Sequence, residues 1–179
     1  METNAMNNSD VMFHQLQEEA LCAMHALNNA IGRDWQTPED MAYACDQYLL
    51  EAHQEGLPEK RGDHEAPGGW YSSEVLAYAV RSTPTRRSGR QEVEMRLEPL
   101  GRNPEFIYRC KGAVVNMANR HWVALRSILG RIWLCDSLEP KPKELSLSAY
   151  LDFIAKFPEA FPIASLTEQE SRTPCSNEA

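Results

Sequence analysis

The hydrophobic pattern of this chain changes period once, near residue 92, and that change restricts the folds open to it more than any other feature. Before it, apolar residues recur at helical spacing. Ala20, Met24, Leu27 and Ile31 follow at four, three and four residues, one face of a 3.6-residue period. This predicts a helix over residues 20–31, with Gly32 placed to end it. Thr37-Pro38-Glu39-Asp40 opens a second helix: a capping hydroxyl, a proline suited to the first turn, and two acids at the positive end of the dipole. Its apolar face is Met41, Cys45, Tyr48 and Leu49. Residues 55–69 hold two prolines and four glycines and read as a mobile loop. A short helix follows from Ser72 or Ser73, carrying Val75, Leu76, Ala79 and Val80. Residues 82–88 read as a solvated loop with basic flanks.

After residue 92 the period falls to two. Val93, Met95 and Leu97 alternate with Glu92, Glu94, Arg96 and Glu98, the mark of a half-buried strand. Residues 113–118, 121–128 and 131–136 read as three further strands, turning at Asn119-Arg120 and at Gly130. Leu147, Tyr150, Leu151 and Ile154 mark another amphipathic helix, and residues 160–166 a last strand. Helices first and antiparallel strands second predict an α+β domain with the helices segregated from the sheet. The chain has 179 residues, enough for one domain with a real core. Residues 1–11 and 167–179 are polar and read as a disordered lead and tail around a domain over 12–166.

Composition narrows the class. No apolar run approaches the ~20 residues of a membrane span. The start of the chain lacks the basic-then-apolar pattern of a secretory signal. Five cysteines without a CxxC pair suit free thiols in a reducing compartment, so a cytoplasmic or nuclear protein is expected. Net charge is 18 − 26 = −8, which disfavours nucleic acid as a partner.

Four residues carry a chemical proposal. Cys22 lies in the first turn of the predicted first helix, where the positive end of the dipole favours a thiolate over a thiol. His121 opens a strand beside a tight turn, and Asp136 ends the next strand. With Leu129-Gly130 as the loop, Ile128 faces Arg131, and paired residue numbers sum to about 259. That register puts His121 near Leu138, and a shift of one would bring it to Asp136. The acid would hold one ring nitrogen and turn the other toward sulfur, with Trp122 covering the ring edge. Gln17, five residues before Cys22, offers a side-chain amide to a developing oxyanion. Each residue has a plainer reading: Cys22 as core, His121 as structural, Asp136 as a turn residue. His25, three residues after Cys22, invites a zinc reading, but two ligands at that spacing make no site and no second cluster completes one. No metal or other cofactor is expected.

Phe13-His14-Gln15-Leu16-Gln17, followed by Leu21-Cys22-Ala23-Met24-His25-Ala26-Leu27-Asn28-Asn29, resembles the N-terminal catalytic motif of Josephin domains. His121-Trp122-Val123 and Trp133-Leu134-Cys135-Asp136-Ser137 resemble that family's later motifs, and Gly69-Trp70-Tyr71 loosely matches the helix region between them. The resemblance implies a papain-like cysteine peptidase in which an N-terminal catalytic helix and further helices pack on an antiparallel sheet. It implies a deubiquitinase cleaving after the C-terminal glycine of ubiquitin. Carried over, Cys22 is the nucleophile, His121 the general base and acid, Asp136 the orienter and Gln17 the oxyanion donor, with His25, Asn28 and Asn29 structural. The expected partner is ubiquitin or polyubiquitin, the expected state a monomer. Two other functions stay open: a catalytically weak ubiquitin-binding domain, and a cysteine hydrolase or transferase acting on a ubiquitin-like protein. Residues 55–69 stand where the family has a helical arm that gates substrate.

Overall fold

The computed structural model describes residues 13–16, 21–67, 69–118 and 121–166. Helix α1, Cys22–Ile31, ends where the sequence predicted. Gly32 stops it with φ +85°, a left-handed conformation that costs glycine little. A side chain there would also collide with Arg126, whose guanidinium lies 2.5 Å from where a Cβ would stand. Its charge sits at the negative end of the α1 dipole. Burial makes Arg126 easier to deprotonate than an ordinary arginine.

Helix α2, Pro38–Gln54, has the expected start: Thr37 accepts from the Asp40 N–H, and the Asp40 carboxylate accepts in return from the Thr37 N–H. Helix α3, Ser73–Ser88, is longer than its sequence suggested, and residues 82–88 are its final turns rather than a loop. The basic residues there have a partner in the first turn of α2. Arg86 and Arg87 both reach Asp40, at 2.7 and 2.5 Å, and Arg87 also donates to the Trp35 carbonyl. A pair of arginines on one buried carboxylate outweighs the helix cost of Ser and Thr in that stretch.

The segment between α2 and α3 is more organised than a loop of prolines and glycines predicts. It carries a 3-10 turn at Arg61–Asp63 and two short strands, β1 (Glu65–Ala66) and β2 (Trp70–Tyr71), paired antiparallel. Arg61 binds Asp46 and Glu65, at 2.6 and 3.1 Å. His64 is buried against the Tyr48 ring, their centroids 4.8 Å apart. Its Nδ1 lies 2.7 Å from the Ser72 hydroxyl and its Nε2 2.8 Å from the Glu59 carboxylate. Ser72 Oγ also accepts from the Val75 N–H, at 3.3 Å, and so caps α3.

The main sheet has six strands in the order β3 (Val93–Met95), β8 (Ala160–Ser165), β4 (Gly112–Met117), β5 (His121–Ile128), β6 (Arg131–Cys135) and β7 (Lys143–Leu145). Every pairing is antiparallel. The path is not a plain meander, because the last strand returns between β3 and β4. Helix α4, Leu147–Lys156, makes that return. Helices cover one face, where Val114, Trp122, Ala124 and Ile163 point. α4 and two 3-10 turns cover the other, where Val115, Val123, Leu125 and Tyr150 are buried. Both faces are dry in the middle, which is why β4 and the heart of β5 read as nearly unbroken apolar runs.

One contact seats α1 on the sheet. A Cβ on Gly112 would lie 2.2 Å from the Ala30 carbonyl oxygen. Only a residue without a side chain lets β4 and the last turn of α1 come this close; overpacking of this kind typically costs about 1–3 kcal/mol. Among the described residues no helix is long and apolar enough to cross a membrane.

Candidate active site

Cys22 is the first residue of α1. Among the described residues no side chain caps this helix. His121 is the first residue of β5, and its Nε2 lies 2.7 Å from Asp136 Oδ1. The same oxygen accepts the Leu138 N–H at 3.0 Å, which holds the carboxylate in place.

The hairpin register is the one the loop length predicts. Ile128 pairs with Arg131, and the ladder runs to Ala124 opposite Cys135. No shift is needed to join His121 to Asp136, contrary to the sequence expectation. Continued past the last rung, this register sets Asp136 opposite Val123. His121 is the diagonal neighbour two residues away, at a separation that longer side chains bridge. β6 ends at Cys135, which frees Asp136 from the ladder to reach across.

His121 also interacts with the Cys22 side chain, and since Asp136 engages Nε2, Nδ1 is the nitrogen left for the sulfur. That interaction is the largest influence on the ring; burial works against it and Asp136 adds to it, and the imidazolium persists up to about pH 9. At neutral pH the ring is therefore held protonated. Three of the four residues named from the sequence thus meet at one point. Gln17 lies outside the described residues.

Two features of the site go beyond the sequence reading. Cys22 is only 3% exposed, because the arm between α2 and α3 crosses it. The Gly69 carbonyl lies 3.8 Å from Cys22 Sγ and accepts from the Ala23 N–H at 3.4 Å. Trp122, suggested by the sequence as cover for the imidazole, is fully buried, and its Nε1–H donates to the Tyr71 carbonyl at 2.8 Å. It ties β5 to this arm.

The second feature is a clamp on the segment before Cys22. Asn29 accepts from the Gln15 N–H at 2.5 Å and donates to the Gln15 carbonyl at 3.2 Å. The Gln15 side-chain oxygen accepts from His25 Nδ1 and Asn28 Nδ2, at 2.7 and 2.9 Å. Asn28 gives its other proton to the Gln36 carbonyl and accepts from the Trp35 and Gln36 N–H groups. All four hydrogen-bonding positions of this buried amide are filled. His14 Nε2 meets the Glu139 carbonyl at 2.8 Å, joining the same segment to the turn after Asp136.

Among the described residues no group of three His, Cys, Asp or Glu side chains is placed to hold a metal ion. The arrangement offers a thiol, a base beside it, and an acid that orients the base: the parts for nucleophilic attack on a carbonyl.

The Josephin family model matches residues 17–159 of the chain. An ataxin-3 homologue of Arabidopsis thaliana is 27% identical over 192 residues, covering 90% of this chain and 65% of its own length. A protein of Oryza sativa subsp. japonica described as an ataxin-3 homologue is 26% identical over 175 residues, covering 84% of this chain and 49% of its own. The chain thus spans about half to two thirds of the curated relatives it matches.

Proposed function

The chain belongs to the Josephin family, and from that membership we propose that it is a thiol-dependent deubiquitinase using Cys22, His121 and Asp136, with Gln17 as oxyanion donor. One observation carries the reading. A cysteine at the start of a helix interacts with a histidine that an aspartate holds from behind at 2.7 Å.

In this mechanism Cys22 Sγ attacks the carbonyl carbon of the terminal glycine of ubiquitin. The carbonyl electron pair moves to oxygen, where the helix N-terminus and Gln17 donate to it. The tetrahedral species collapses, and His121 gives its proton to the leaving amine. A thioester remains. His121, now neutral, takes a proton from water, whose oxygen attacks the thioester. The second tetrahedral species collapses, the carbon–sulfur bond breaks, the acid product gives its remaining proton to solvent as the carboxylate, and the thiolate–imidazolium pair is restored. Asp136 keeps the ring oriented throughout and favours its protonated form.

A second reading, a ubiquitin-binding domain with weak catalysis, has the Gly69 carbonyl on its side. That oxygen already accepts from the first turn of α1 and lies against the sulfur, so it competes with a substrate carbonyl until the arm moves. Hydrolysis of a fluorogenic ubiquitin C-terminal amide by wild type and by Cys22→Ala separates the two. The deubiquitinase reading expects turnover that the substitution abolishes. Tight ubiquitin binding without turnover by wild type favours the second.

A further inference from the structure

Helix α4 carries more apolar surface than the core takes up. Leu147, Tyr150, Leu151 and Ile154 mark its apolar positions, yet of these only Tyr150 and Ile154 are buried. Leu147 and Leu151, one turn apart, are 57% and 40% exposed. Tyr108, at the end of the 3-10 turn Pro104–Tyr108, is 45% exposed. These three side chains line one groove of about 640 Å³. Its walls are tied together: Tyr150 Oη donates to the Pro104 carbonyl at 2.8 Å, which fixes α4 against the turn. The groove is therefore formed before anything enters it, and an occupant is spared the cost of ordering it.

Charge says what kind of occupant fits. Arg102 and Arg109 line the same groove, with Glu105 as its acid. Neither arginine forms an ion pair among the described residues. In a chain of net charge −8, two unpaired cations beside apolar surface are a local reversal of sign. We propose that this groove docks an acidic amphipathic helix of another protein, its leucines toward Leu147, Leu151 and Tyr108 and its carboxylates toward Arg102 and Arg109. Leucines at i and i+4 form the kind of ridge that a second helix packs against, and helix-in-groove docking reads such a stripe. A second copy of this face, related by a twofold axis, would set the same two arginines against each other. A lipid surface is flat where this site is concave. The sheet separates the groove from Cys22, since α1 packs on one face and α4 with the 3-10 turns on the other. Docking here recruits a partner without touching the thiol, and it does not depend on the deubiquitinase reading.

The test selects random 12-residue peptides displayed on phage against the full chain, then measures the synthesised winners by fluorescence anisotropy. Wild type is compared with Leu147→Ser/Leu151→Ser and with Arg102→Glu/Arg109→Glu. Both double variants change exposed residues and should melt within about 2 °C of wild type. Winning peptides should carry leucines at helical spacing flanked by Asp or Glu. Each double variant should bind them about 10-fold or more weakly, and added salt should weaken wild-type binding more than binding to the arginine variant. The proposal is overturned if no peptide is enriched, if the winners are neutral or basic, or if either variant binds them as wild type does. Two further results overturn it by assigning the groove elsewhere. Dimerisation in the ultracentrifuge that the leucine variant abolishes would make a second copy the occupant. Binding to phosphatidylserine–phosphatidylcholine vesicles that both variants abolish would make it a lipid surface.

Discussion

Two histidines in this molecule stand between an acid and a nucleophilic atom. His121 lies between Asp136 and Cys22, and His64 between Glu59 and Ser72. By distance the acid holds the ring as closely in the second relay as in the first, 2.8 Å against 2.7 Å, and the Ser72 hydroxyl lies 2.7 Å from the other nitrogen. Burial does not separate them either, since Cys22 is 3% exposed and Ser72 5%. The difference lies one residue along the helix. Ser72 is an N-cap: it stands outside α3 and its oxygen is committed to the Val75 N–H. Cys22 stands inside α1, past the cap position, and its sulfur closes no helix. Attack by Ser72 would uncap α3, while attack by Cys22 breaks only the contact with Gly69. An acid–histidine–nucleophile row is therefore weak evidence of catalysis until the nucleophile's other duties are known.

The largest effect that could break this comparison is on turnover. Cys22→Ala should lower kcat by on the order of 10⁵-fold or more, as removing the nucleophile from a thiol or serine hydrolase does. Ser72→Ala, in the same ubiquitin-amide assay, should stay within about three-fold of wild type. If Ser72→Ala were the silent enzyme, the assignment of the two relays would be reversed.

Asp136→Ala comes next, with an expected drop in kcat of about 10- to 100-fold. It should also move the pH profile. Activity needs the imidazolium, which in wild type is held up to about pH 9 chiefly by Cys22, with Asp136 adding to it. The alkaline limb of kcat/KM should stand near pH 9 in wild type and move to lower pH in the variant. An unmoved limb would remove Asp136 from the relay.

The same raised pKa makes a stability prediction. A histidine protonated more readily when folded contributes stability that is fully present below its ordinary value of 6.5 and is lost as pH rises through about 9. Melting temperature should fall across that window, and the fall should flatten in Cys22→Ala, which removes the larger cause. For the His64 relay the expected stability effects are smaller. Ser72→Ala should cost about 1 kcal/mol by denaturant unfolding through loss of the cap. Glu59→Gln should stay within about 0.5 kcal/mol, because the carboxylate side chain is 31% exposed and screened by water.

Much of this was legible before any coordinates. The α1 period, the Gly32 stop and the Thr37 box fixed two helices, because each is a local signal acting over one or two turns. The β5–β6 register followed from a two-residue loop, and the Cys22–His121–Asp136 set followed from residue order and motif. What was not legible depends on distant partners. The last turns of α3 are held by Asp40, more than forty residues away, so Ser-Thr-Pro-Thr read as loop. The placement of β8 between β3 and β4 is a matter of topology that no local pattern records. The diagonal reach of Asp136 depends on β6 ending one residue early, and element ends are the least certain part of any sequence reading. The Gln15 clamp was in plain view as the Asn-Asn pair, but polar residues on a helix carry no mark of what they bind.

The seat of α1 on Gly112 sets a mechanical tolerance. Ala30, where the helix meets Gly112, lies eight residues from Cys22, about 12 Å along the axis. With that end as fulcrum the helix is a lever, and tilting it by one degree swings the sulfur by about 0.2 Å. A five-degree tilt amounts to about 1 Å, enough to cost on the order of 100-fold in rate. A hydrogen in place of a methyl group at the foot of the helix is in this sense an alignment screw, and the angle it sets is read out at the far end as chemistry.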